Sequence, residues 1–309
     1  MRTYGKILFL LKETINQSVN DNTIKLAASL SYYTIFSLPS LLIIIIYIVG
    51  IFFGTEAVRG EIFGQINGLV GNGAAIQIQE IIGNTKLSNN NGFTTTIGIC
   101  TLLLGAMGAF VELQDSINFI WGLKAKPERG LIIFLRHRLI SFSMIGSMGF
   151  LLLAMLIINS LIDILINRMK PFFPHTTLLS LFYVLNIVVL FIIITLLFTV
   201  IFRTLPDGEV DYKDATVGAA FTALLFMVGK FIIITYIGRS SIASIYGVAG
   251  SLIVILLWVY YSAIILYFGV EFTKVYALTY GSKIIPNDYA ICIDKKQREI
   301  GYNETWKTS

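Results

Sequence analysis

Charge is scarce in this chain. Only 13% of its 309 residues are Asp, Glu, Lys or Arg, while 56% are hydrophobic and the mean hydropathy is +0.78. A soluble domain would have to leave much of that apolar surface facing water, so lipid is the expected solvent for most of the chain. Histidine and cysteine are scarcer still, at two each. Cys100 lies inside an apolar run and Cys292 near the C-terminal end, with no CxxC or other ligand spacing. That pattern supports neither a disulfide framework nor a metal site. His137 and His175 fall on opposite sides of the membrane in the topology derived below, so they can share neither a metal nor a proton relay. GxSxG, HExxH and P-loop patterns are absent, and the reading is of a protein that is not an enzyme and carries no cofactor.

What charge there is leans basic, with 23 Lys and Arg against 18 Asp and Glu and a net charge of +5. A nucleic-acid-binding protein would gather those bases on one soluble face. Here they lie between apolar runs, and no nucleic-acid partner is expected. The first 25 residues are polar to amphipathic, unlike the short basic region, apolar stretch and small-residue cleavage site of a signal peptide.

A bilayer core about 30 Å thick needs roughly 20 apolar residues in a helix, and helices satisfy their own backbone groups in lipid. Six runs meet that length: Leu26 to Phe53, Phe93 to Trp121, Leu139 to Ile162, Leu178 to Phe202, Ala215 to Ile237, and Val248 to about Tyr276. The first contains Pro39, which removes a backbone donor and is expected to kink the helix. The expected fold is all-α: a polytopic protein with six transmembrane helices.

Short cytoplasmic loops carry the excess of Lys and Arg. With six spans, 17 bases fall on the side of both termini and 5 on the other, and Lys230 lies within a span. Both termini are therefore expected in the cytoplasm, with residues 1–25 an amphipathic cytoplasmic segment, 26–277 the membrane domain and 278–309 a polar cytoplasmic tail. In the first segment Ile7, Leu8, Leu11 and Ile15 fall at helical spacing, which fits either an interfacial helix or one packed on the bundle. The outer loop 54–92 is too long for a simple turn; Ile62, Phe63, Ile66, Leu69 and Val70 trace one helical face and Ile78, Ile81 and Ile82 hint at another.

Ionisable groups within membrane spans are costly, and each is a functional candidate. At 1.5 Å per residue, Glu112 lies about 28 Å into the second span and Asp115 about 33 Å, both near its inner end. Glu112, Gln114, Asp115, Asn118, Arg203 and Glu271 share that depth, which suggests an inner polar gate. Interhelical packing and snorkelling are the structural alternative. Lys230 lies about 24 Å from the inner start of its helix, in the outer half, near the level of the Tyr260 and Tyr261 hydroxyls. A lysine there could bind an anionic group on a substrate path, or snorkel outward. Gly105, Gly108 and Ala109, with Gly218, Ala219, Ala220 and Ala223, allow close helix approach.

An ordered set of segments resembles the YihY/BrkB family of bacterial inner-membrane proteins. These are Ala28 to Thr34, Leu113 to Gly122, Arg203 to Asp207, Tyr246 to Leu252, Leu257 to Tyr261 and Phe268 to Phe272, spread over roughly Lys25 to Ala277. Val270 stands where a small residue is common in the last motif. The resemblance implies a six-helix domain in the bacterial plasma membrane and a historical link to virulence. It also implies an old ribonuclease label, which the residues do not support, since no acidic or histidine cluster suits catalytic metals. Combined with the residues above, the expectation is a transporter or exporter of a lipid or anionic small molecule. Lys230, Tyr260 and Tyr261 would line its outer path, and membrane lipids would be its surroundings. The rival is a non-transporting envelope scaffold or assembly factor, its polar residues serving only packing.

Overall fold

The computed structural model describes residues 3–70, 75, 76, 78–80, 92–126, 175–239 and 248–293; the expected third span, Leu139 to Ile162, lies outside them. The described chain is dominated by helices: α1 (Thr3–Asn20), α2 (Thr23–Phe53), α3 (Thr55–Val70), α4 (Gly92–Trp121), α5 (His175–Thr204), α6 (Tyr212–Arg239) and α7 (Val248–Thr279). Short strands β1 (Leu123–Ala125), β2 (Gly208–Glu209), β3 (Ile285–Pro286) and β4 (Ala290–Cys292) complete it. Among the described residues, four segments are long and apolar enough to cross a bilayer: Thr23–Ile51, Ile187–Thr204, Tyr212–Ile233 and Leu252–Thr279. They coincide with the expected first, fourth, fifth and sixth spans, and the 30-residue α4 covers the expected second.

The distribution of side chains inverts that of a soluble protein. Val184, Val188, Ile192, Leu196 and Val200 form an i+4 stripe of exposed apolar residues along α5, and Leu224, Val228, Phe231 and Ile232 do the same on α6. Gln114, Thr222, Glu271 and Thr273 meanwhile have no exposed surface. Lipid is as apolar as leucine, so an outer apolar face costs nothing there, and polar groups turn inward to find partners.

Helix α2 packs along α4 and α7, and α6 along both α5 and α7. Small residues set the spacing. Gly105 and Gly108 of α4 face the hydroxyls of Ser40 and Ser37, which flank Pro39 inside α2, and the Ala109 N–H donates to Ser37 Oγ at 3.2 Å. The α6–α7 crossing is reciprocal: Gly218 lies against the Thr273 side chain and Gly269 against that of Thr222. Each threonine turns its hydroxyl back on its own helix, Thr222 Oγ1 to the Gly218 carbonyl and Thr273 Oγ1 to the Gly269 carbonyl, both at 2.7 Å. What each presents to the neighbouring glycine is therefore a compact surface with its polar atom already satisfied.

Helix α1 takes the packed alternative while leaving part of its apolar surface outward. Leu10 is buried with Phe272 and Val275 of α7, whereas Leu8, Ile15 and Val19 are exposed along another face. It packs on the bundle, and these exposed residues form an apolar stripe on its outer face. From the segment 54–92, Ile62 and Ile78 are buried with Val58 against α2 and Ile255 of α7.

Part of the expected polar tail is folded. β4 pairs antiparallel with β1, Leu123 opposite Cys292 and Ala125 opposite Ala290, and β3 pairs with β2. Strands of two or three residues carry no readable period, so nothing in the pattern announces them. Gly122 makes the first pairing possible: its φ of +69° turns the chain from α4 into β1, and its carbonyl accepts from the Ile293 N–H at 2.7 Å. A side chain there is strained by about 1–2 kcal/mol and would also meet the Ile293 carbonyl oxygen. Gly122→Ala is therefore expected to lower the thermal unfolding temperature in detergent and to speed proteolysis after residue 280; unchanged values would argue against this role.

Candidate functional site

Four helix ends meet where the bases concentrate: the C-terminal ends of α4, α5 and α7 and the start of α6. Each terminus leaves backbone groups unpaired, and each of these helices carries polar side chains in its last or first turns. The polar residues of that end sort into three groups.

The first surrounds Asp207, which is 1% exposed on the tight turn between α5 and β2. Its Oδ2 accepts from Asn118 Nδ2 at 2.8 Å and its Oδ1 from Gln114 Nε2 at 3.3 Å. The Asp207 N–H in turn donates to Asn118 Oδ1 at 2.8 Å. Gln114 and Asn118 lie one turn apart on α4, so one helix face grips both the carboxylate and the backbone of a single residue. Arg203 stands at the same turn without joining that grip. Its Nη1 donates to the Val210 carbonyl at 3.0 Å, and its guanidinium lies 3.2 Å from the Tyr212 ring centroid, a cation–π contact that clasps α5 to the start of α6.

The second group is ionic. Lys274 Nζ lies 3.2 Å from Asp21 Oδ2 and 3.4 Å from Glu271 Oε2. Glu271 is fully buried, its Oε1 has no hydrogen-bond partner among the described residues, and both Asp21 and Lys274 are largely covered. The cluster ties α7 to the joint between α1 and α2, where Asn22 takes a left-handed φ of 54°.

Beside this cluster opens a cavity of about 570 Å³, lined by Gln17, Asn20, Asp21 and Asn22 on one side and by Phe119, Trp121, Gly122 and Lys274 on the other. Its size falls in the range of small-molecule sites, and its wall combines amides, one charge of each sign and aromatic rings. The Trp121 indole is fixed by its Nε1–H donating to the Val270 carbonyl at 3.2 Å.

The third group is looser. Glu112 and Asp115 lie one turn apart on α4, and the buried Tyr267 hydroxyl of α7 has no hydrogen-bond partner among the described residues. Asp115 itself is exposed.

The six residues expected to form an inner gate thus share one end of the bundle but not one network. Gln114 and Asn118 belong with Asp207, Arg203 with Tyr212, and Glu271 with Lys274 and Asp21. Asp207 is visible in the sequence only as the last residue of the Arg203 to Asp207 motif. Lys274 reads as the first base of the tail, yet its i,i+3 spacing from Glu271 was a signal for a pair on one helix face. Asp21 and Tyr267 carry no such signal.

At the opposite end, Lys230 is half-buried, and among the described residues no hydrogen bond or ion pair reaches it. Tyr260 packs against the main apolar core and the Tyr261 hydroxyl lies over Gly229, one residue from Lys230. Of the residues expected to line an outer path, Tyr261 thus comes beside the chain neighbour of Lys230 while Tyr260 packs into the core, and the 570 Å³ cavity lies at the other end of the bundle.

Comparison with known proteins agrees with this architecture. The family model "Virulence factor BrkB" matches residues 14–288. A UPF0761 membrane protein of Psychromonas ingrahamii is 28% identical over 280 residues, covering 88% of this chain and 87% of that protein. One from Pseudoalteromonas atlantica is 27% identical over 267 residues, covering 84% and 83%. Another, from Yersinia pestis, is 27% identical over 194 residues, 60% of each chain. No solved structure matches. Apolar helices long enough to span, a polar interior and a match that takes in all four helix ends of the polar cluster lead to one assignment: the chain is a membrane protein of the virulence factor BrkB family.

Proposed function

We propose that this protein moves an anionic small molecule or lipid headgroup across the bacterial plasma membrane, with both termini in the cytoplasm. The observation that carries the reading is the cavity of about 570 Å³ at the basic end of the bundle, with an ion pair built into its wall. A bundle held together only for packing has no use for an open volume beside charged groups, because each charge so placed costs solvation that a leucine would not. Lys230 supplies a positive charge for the anion further along the membrane, while Lys274 in the cavity wall is paired with Asp21 and Glu271. Glu112, Gln114, Asp115, Asn118, Arg203 and Glu271 form the polar mouth, and Tyr260 and Tyr261 the lining near Lys230.

The Asp207 clasp favours a second reading, in which the polar groups satisfy one another and the protein serves as a scaffold for envelope assembly. Reconstitution separates the two. Purified protein in liposomes of bacterial polar lipids is assayed for lipid scrambling and for efflux of anionic solutes. Transport predicts flux that falls at least tenfold in Lys230→Ala. Absence of flux for every lipid and solute class, with the protein folded, would leave the scaffold.

A further inference from the structure

The walls of the 570 Å³ cavity differ in how firmly they are held. Helix α1 brings Gln17 and Asn20 and is docked on α7 through Leu10. From the end of α4 come Ile120, which is fully buried, and Trp121, whose indole N–H is fixed on the Val270 carbonyl. Ile293 is different. It follows β4, and among the described residues it is the one lining residue contributed from beyond α7. Its N–H donates to the Gly122 carbonyl at 2.7 Å, and Gly122 lines the cavity too. The seam between β4 and β1 is therefore also an edge of the cavity. Little besides backbone bonds holds that seam shut. Ala290 is buried, but Ile291, Cys292 and Ile293 are exposed. A two-stranded sheet of three-residue strands is marginal in water, its hydrogen bonds exchange for bonds to water at small net cost, and such elements open before packed helices do. The chain just before β4 is anchored separately. β3 pairs with β2, and the Asn287 N–H donates to the Asp207 carbonyl at 3.0 Å.

We propose that β4 and Ile293 form the leaf of a gate, which peels from β1 about a pivot at Asn287 and so widens the mouth of the cavity beside Lys274. The role of the leaf in flux rests on the transport reading, but its opening does not. The geometry dictates the order of events. Peeling starts at Ile293, where the seam meets the cavity, and the opposite lip stays in place because the Gly122 N–H is held on the Phe119 carbonyl at 3.1 Å. β3 keeps its pairing with β2 throughout, so the movement is confined to the few residues after Asn287. With the seam closed Trp121 is 6% exposed. Lifting Ile293 uncovers more of that indole to water.

The opening is tested first without any transported substrate. Ala125 and Ala290 lie opposite each other, one residue from the bonded pair of Lys126 and Tyr289. That is a non-hydrogen-bonded position, where opposed Cα atoms are about 4.5 Å apart and a disulfide fits. Ala125→Cys with Ala290→Cys is made in full-length protein whose two natural cysteines are replaced by serine and whose other tryptophans are removed by Trp258→Phe and Trp306→Phe. In lipid nanodiscs, acrylamide quenching of Trp121 fluorescence is expected to fall at least threefold when the pair is oxidised and to recover on reduction. Ile293→Pro removes the donor of the seam bond. It supplies the opposite perturbation should the double cysteine variant fail to fold, and is expected to raise quenching at least twofold. Quenching unchanged in the folded variants would overturn the gate. In liposomes, oxidation is expected to lower flux at least tenfold, with recovery on reduction, and flux that is present but indifferent to the disulfide would overturn the gate as well. Quenching that follows the disulfide in protein with no flux in either state would confirm that the leaf opens and refute the transport reading instead.

Discussion

Replacing Asp207 by alanine is expected to cost about 3–5 kcal/mol of stability. The substitution removes a buried charged acceptor from two amide donors, Gln114 Nε2 and Asn118 Nδ2, and hydrogen bonds to charged groups contribute about 1.5–3 kcal/mol each. The donors then stay buried, because Gln114 has no exposed surface and Asn118 only 7%. Asp207→Asn keeps one acceptor oxygen and should cost about half as much. Thermal unfolding in detergent followed by circular dichroism orders the three proteins. Asp207→Ala within about 0.5 kcal/mol of wild type would show that the clasp contributes nothing measurable.

Filling the α6–α7 crossing should also be strongly damaging. A Cβ at Gly218 already collides with Thr273, and one at Gly269 with Thr222, so Gly218→Leu forces apart two helices whose approach depends on the missing side chain. Overpacking of a close interface costs about 1–3 kcal/mol and more when backbone must move. The expected outcome is loss of monodisperse protein on size exclusion. The contact is steric, so Gly218→Ala combined with Thr273→Gly should regain most of what Gly218→Ala alone loses. Equal behaviour of the single and double variants would mean that the crossing tolerates separation.

Much of this architecture is written in composition. The apolar runs give the helices, and their lengths locate α2, α5, α6 and α7 to within a few residues, since nothing in lipid competes with the intrahelical hydrogen bond. Close helix approach was also readable, because Gly218 and Gly105 have no role in a span other than to let something near. The contents of the polar end were less legible. Depth along a helix puts Glu112, Asn118 and Glu271 at one level, but depth says nothing of azimuth. Whether two residues at one level touch depends on helix rotation, which is set by packing on all sides. Asp21 and Lys274 are 253 residues apart, and only the docking of α1 on α7 joins them. The strands of the tail escaped for a different reason, being shorter than any period that could reveal them.

Occluding the cavity beside Lys274 is the most direct test of the proposed transport path. Asn20 lines the cavity and is exposed outside the ionic cluster, so Asn20→Trp should fill the space without breaking the Asp21 to Lys274 pair. With wild type and variant reconstituted at equal amounts and unfolding at the same temperature, flux of anionic lipid or solute is expected in the wild type and to drop at least tenfold in Asn20→Trp. Equal flux in both, or none in the wild type, would contradict a transport path through this cavity.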